Sequence, residues 1–168
     1  LCERHFDRLY SLVFHQVNRD RDAADALVQE TFLAAVNSIS KFRAQSKFYT
    51  WLCSIAYNKI ADFYRHQKRE AMHGKHSLTA SATELEQIPD SEPLALIMIE
   101  SEETHQMVEQ VLSSLPYDYR QALMLKYVEE MPVPEISQVM HRTPKAVEGL
   151  LSRARKALHA GLVRQDEG

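Results

Sequence analysis

Between residues 70 and 98 the helical periodicity of this chain fails, so the fold must be built from two separate blocks. His, Gly, Ser, Thr and acids dominate the break, with Pro89 and Pro93 close together. That composition reads as a linker, tightening into helix from about Leu94. On either side apolar residues recur at helical spacing. With only 4 Gly and 6 Pro in 168 residues, and many Ala, Leu, Glu, Gln, Lys and Arg, helix is favoured over sheet. The expected fold is therefore all-α: two small helical domains over 1–70 and 100–168, joined by a flexible acidic linker over 71–99.

In the first block the spacing predicts three helices. Phe6, Leu9, Tyr10, Leu12, Val13 and Val17 form one apolar stripe, and Leu27, Val28, Thr31, Phe32, Ala35 and Val36 a second. Asp20, Asp22 and Asp25 suit the positive end of the second helix. A basic-aromatic stretch over 41–49 leads into a third helix, with Thr50 as its expected cap. Trp51, Leu52, Ile55, Ala56, Ile60 and Phe63 supply its packing face, and that spacing places Trp51 in the core rather than at a stacking surface. In the second block Pro116 marks a helix start, and helices are expected over 117–128, 133–140 and from Pro144 to about Leu162. Between the last two, His141-Arg142-Thr143 ends in a capping residue before a proline.

Charge is segregated along the chain. Residues 41–70 carry seven Lys/Arg against Asp62 and Glu70, and 141–165 carry six against Glu148, a net +5 in each; 71–114 carries a net −7. Two basic patches flanking an acidic connector point to two contacts with a polyanion. The alternative is a set of ordinary solvated helix faces. A short helix, a tight turn and a longer helix with Lys145, Arg153, Arg155 and Lys156 form a helix-turn-helix pattern, although His141 stands where that turn favours glycine.

Both blocks, in this order, resemble the extracytoplasmic-function (ECF) branch of the sigma-70 family. The matching words are LVQETFL (27–33), KFRAQSKFYTWLCSIAYNKIADFYR (41–65) and the tail HQKRE, then LSSLPYDYRQALMLKYVEEM (112–131) and EISQVMHRTPKAVEGLLSRARKAL (135–158). The resemblance implies sigma region 2 in the first block and region 4 in the second. It implies an alternative sigma factor that binds RNA polymerase core and directs promoter recognition and transcription initiation.

By the same resemblance, the promoter −10 element is held as a single strand in the first block. The residues implied are Arg43, Ser46, Lys47, Tyr49, Asn58, Lys59, Arg65, Lys68 and Arg69, with Asn58 reading a flipped base and the loop 43–47 forming its pocket. Aromatic faces, an amide and backbone-gripping cations are what that task needs. The −35 duplex falls to the last helix, with Lys145, Ala146, Glu148, Gly149 and Ser152 toward the groove and Arg142, Arg153, Arg155 and Lys156 on the backbone. Glu148 accepts from a cytosine amino group or pairs with a nearby Arg; the sequence leaves both open.

Core docking is implied for the second helix, through Asp22, Asp25, Ala26, Gln29, Glu30 and Leu33. The family usually has an acid at the position of Ala26, so a weakened contact is expected unless Asp22, Asp25 and Glu30 compensate. Phosphorylation of Thr31 would restore charge there, making a Ser/Thr kinase a candidate regulator. Implied partners are the polymerase clamp on its largest subunit (region 2), the polymerase flap (region 4), promoter DNA and a possible anti-sigma factor. His66, His73 and His76 lack a scaffold for a metal, and there is no phosphate loop or nucleophile elbow, so neither cofactor nor enzyme is expected. No run is apolar enough to cross a bilayer, and a cytoplasmic, nucleoid-associated protein is expected. An ordinary helix-turn-helix repressor is the alternative; it leaves the 41–69 block unexplained.

Overall fold

The computed structural model describes residues 2–72 and 102–167. Residues 73–99 of the expected linker, with His73, His76, Pro89, Pro93 and the helix expected from Leu94, lie outside the described residues. Every regular element among the described residues is helical. They group into two compact units, one holding α1–α3 and the other holding α4, α5, a π turn and most of the α6–α7 pair.

In the first unit α1 (Cys2–Gln16), α2 (Arg21–Ser38) and α3 (Phe48–Met72) pack on one another. Leu9, Leu12 and Val13 from α1 meet Leu27, Val28 and Ala35 from α2 and Leu52, Ala56 and Ile60 from α3, all buried. The turn after α1 reverses through Asn18 and Arg19, both left-handed at φ 55° and 61°. Asp20 then caps α2 by accepting from the Ala23 amide at 3.1 Å. Two residues of the expected stripes lie outside this core: Val36 is 63% exposed and Phe6 45% exposed. The Tyr64 hydroxyl donates to the Gln16 carbonyl and ties α3 to the end of α1.

Thr50 is not the cap of α3. The helix begins at Phe48, and the Trp51 amide already donates to the Lys47 carbonyl at 3.1 Å, so Thr50 lies buried in the first turn.

In the second unit α4 (Glu102–Ser114) and α5 (Tyr117–Leu123) pack on α7 (Pro144–Asp166). The helix expected over 117–128 is continuous but changes pitch, with a π turn over Met124–Val128. α6 (Val133–Met140) precedes the turn into α7. Val147, Leu150, Leu151, Ala154 and Leu158 make the buried stripe of α7, as the spacing predicts. Gly161 permits the close crossing of α4 and α7, since a Cβ there would lie 2.3 Å from Val111 Cγ1.

Candidate nucleic-acid interface

On α3, Trp51, Ser54, Asn58, Asp62, Arg65 and Arg69 follow one another at three- or four-residue steps, so they share one face over about 27 Å of helix. At its start Trp51 is half-buried rather than in the core. Its ring sits 5.0 Å from that of Phe42 and 5.7 Å from that of Phe48. Trp51 and Ser54 share a recess with Arg43, Gln45 and Ser46 of the preceding loop. The loop bends through Ala44, left-handed at φ 54°, a backbone conformation that costs energy for a residue with a Cβ.

Asn58 is exposed two helical turns along this face, and Arg65 and Arg69 are exposed beyond it. Arg65 pairs with Asp62 at 2.9 Å, but both side chains are about two-thirds exposed, so the pair contributes no more than ~1 kcal/mol. A phosphate can take the guanidinium from it at little cost. Lys59 and Lys68 lie about 80° and 100° round the helix from this face, on opposite sides. The geometry therefore brings together the loop, Asn58, Arg65 and Arg69, and leaves those two lysines to flank them.

Tyr49 departs from expectation. It is buried, with its ring 5.2 Å from that of His5 and the Arg8 guanidinium 4.2 Å above it. Because α3 starts at Phe48, the second residue of the helix turns toward α1 and offers no face to a base.

The residues expected to meet the polymerase are all exposed on α2. Asp22, Ala26, Gln29, Glu30 and Leu33 share one face, with Leu33 64% exposed. Asp25 is turned about 100° from Ala26 and hydrogen-bonds the Tyr10 side chain of α1. Partial burial and then the Asp25 charge hold the Tyr10 hydroxyl above its ordinary pKa. Asp25 is thus engaged with α1 rather than set on the face of Ala26. The expected switch at Thr31 is also corrected: Thr31 is fully buried and its hydroxyl donates to the Leu27 carbonyl at 2.7 Å. A kinase finds no accessible hydroxyl there in the folded domain.

In the second unit the turn into α7 passes through His141, left-handed at φ 53°, in the place where glycine is favoured. Thr143 then caps α7, accepting from the Ala146 amide at 3.2 Å, with Pro144 in the first turn. Lys145, Ala146, Glu148 and Arg153 are exposed, while Gly149, Ser152 and Lys156 are half-exposed. Two arginines expected on the DNA backbone have internal partners instead. Arg142 pairs with Asp118 of α5 at 2.6 Å, and Arg155 donates to the Tyr127 hydroxyl of the π turn at 3.1 Å. The first tie holds the turn before α7 against α5 and the second holds α7 against the π turn.

A salt titration of duplex binding separates the roles. Each phosphate contact contributes about 0.9 to the slope of log K against log salt. Arg153→Ala should lower the slope by about that amount; Arg142→Ala and Asp118→Ala should weaken binding alike and leave the slope unchanged. A reduced slope for Arg142→Ala alone would return that residue to the phosphate contacts.

Among the described residues no group of His, Cys, Asp and Glu could hold a metal ion, and no helix is long and apolar enough to cross a membrane.

Comparison with known proteins matches this division. Residues 1–70 match the family model for sigma-70 region 2, and residues 105–158 that for sigma-70 region 4. The ECF RNA polymerase sigma-E factor of Escherichia coli (strain K12) is 32% identical over 165 residues, covering 94% of this chain and 82% of that one. The ECF RNA polymerase sigma factor SigW of Bacillus subtilis is 29% identical over 157 residues, covering 93% and 83%. Among solved structures, the sigma factor RpoE in complex with the anti-sigma factor NepR from Bartonella quintana has the same fold, with a TM-score of 0.70 at 20% identity over 96% of this chain and 93% of that one. CnrH in complex with the cytosolic domain of CnrY aligns with a TM-score of 0.66 at 25% identity, covering 97% and 85%. The chain belongs to the ECF branch of the sigma-70 family, as an alternative sigma factor that directs promoter recognition and transcription initiation.

Proposed function

We propose that the first unit captures the −10 element as a single strand and that the second reads the −35 element as duplex. The observation that carries this reading is the single face of α3. There a recess bounded by an aromatic cluster and a strained loop leads to Asn58 and on to Arg65 and Arg69. An extruded base needs such a recess and an amide that both donates and accepts; the strand beyond it needs cations. In the second unit, the exposed arc of a capped, basic helix suits a major groove.

The polymerase core docks on the α2 face of Ala26, Gln29, Glu30 and Leu33, and the missing acid at Ala26 weakens that contact. The second unit meets the polymerase flap. An anti-sigma factor is a further partner; the exposed Leu33 and Val36 offer it an apolar landing on α2. The chain itself catalyses nothing, since nucleotide addition belongs to the polymerase. It works in the cytoplasm, on the nucleoid.

The test is strand preference. Holoenzyme formed from this chain and polymerase core is offered pools of random single-stranded and duplex oligonucleotides. The reading predicts selection of a short −10 motif from the single-stranded pool that Asn58→Ala abolishes. Selection of duplex alone, by the chain without core, would establish the repressor-like alternative instead.

A further inference from the structure

The recess on α3 stands on a clasp of rings. Phe42 precedes the loop 43–47 and Phe48 follows it, and their rings meet edge-on with centroids 5.8 Å apart. Trp51 packs on both. The clasp pins the two ends of a loop that bends through left-handed Ala44. Such a backbone conformation persists where its surroundings over-determine it.

What holds the clasp comes from another helix. His5 of α1 sets its ring 5.8 Å from that of Phe48 and 5.2 Å from that of the buried Tyr49. Arg8 follows His5 by one turn on the same face and lays its guanidinium 4.2 Å over the Tyr49 ring. The electron-rich face of a phenol ring attracts a cation, and tilted rings at these separations attract one another. Two consecutive residues at the start of α3 are therefore gripped from α1, and Phe48 links His5 to Trp51. An exposed arginine in a domain that takes a nucleic-acid strand invites assignment to a phosphate. Here its guanidinium is laid on a ring instead.

We propose that His5 and Arg8 are positioning residues for −10 capture. By gripping Phe48 and Tyr49 they set the start of α3 and hold the clasp that shapes the recess, and neither touches the DNA strand. This rests on the reading of the first unit as the −10 reader.

The test compares wild type, Arg8→Ala, His5→Ala and His5→Phe, each as the full chain with polymerase core. The probe is the single-stranded oligonucleotide that wild-type holoenzyme selects. Trp51 is the one tryptophan of the chain, so its emission in the full chain without core reports the clasp. Arg8→Ala should weaken strand affinity about two- to fivefold, and His5→Ala about two- to tenfold. In both, Trp51 emission should move to the red. The slope of log K against log salt should keep its wild-type value in Arg8→Ala. His5→Phe keeps a ring and should restore both affinity and emission.

A slope lowered by about 0.7 in Arg8→Ala would make that residue a phosphate contact and overturn the proposal. Unchanged strand affinity in both alanine variants would overturn it too, even with a lower urea midpoint, since the pair would then serve stability alone. Failure of His5→Phe to restore affinity would remove the ring as the cause. A wild-type holoenzyme that selects no single-stranded motif would overturn the −10 reading itself.

Discussion

Replacing Asn58 with alanine should lower promoter-dependent transcription by about one to two orders of magnitude, the worth of one well-formed side-chain–base contact. The side chain is exposed on α3 and lies outside the packed stripe of Leu52, Ala56 and Ile60, so the variant should fold and melt as wild type does. Asn58→Asp should fail almost as badly, because it keeps the shape and loses the donor. The loss should be confined to the single-stranded −10 step: template already melted at −10 with mismatched strands should still show it, while −35 duplex affinity stays constant. Equal losses on both elements would mean that Asn58 supports the unit rather than reads a base.

The largest effect on stability is expected at Leu125. It is fully buried at the π turn, and its carbonyl accepts from the Met131 amide at 3.0 Å to close the path into α6. Truncation to alanine removes its contacts and leaves a cavity, a cost of about 2–5 kcal/mol. A domain of this size has only roughly 3–10 kcal/mol in total. Leu125→Ala should therefore unfold the second unit in a large share of molecules near 37 °C and remove −35 dependence. Single-strand capture by the first unit should persist. A urea melt followed by helical circular dichroism checks this: a wild-type midpoint would show that the site collapses around the smaller side chain without loss.

Local features of the chain were readable where a single helix decides them. The buried stripe of α7, the Thr143 cap with Pro144 and the unusual turn residue His141 each follow from short-range chemistry, and all stand in the structure. Tyr49 and Thr50 depart from expectation for one shared reason, the start of α3 at Phe48. With the helix already formed at Phe48, Tyr49 projects about 200° round it from Trp51, on the side packed against α1. Thr31 follows Leu27 by one turn, so its burial follows from spacing.

The remainder depends on contacts between distant residues. Asp118 and Arg142 are 24 positions apart and Tyr127 and Arg155 are 28 apart, so no periodicity reveals that these arginines brace α7. The recess on α3 is likewise a product of packing, built where Phe42, Phe48 and Trp51 cluster above the strained loop. Sequence supplies the residue types in that stretch. Which of them face the same way is set by the start of the helix and by its partner α1.

The most direct measurement is run-off transcription from a genomic promoter library with polymerase core, with and without this chain. Transcripts should appear only when the chain is present, from templates sharing paired −35 and −10 sequences. No transcripts at all, together with tight duplex binding by the chain alone, would rule out sigma activity.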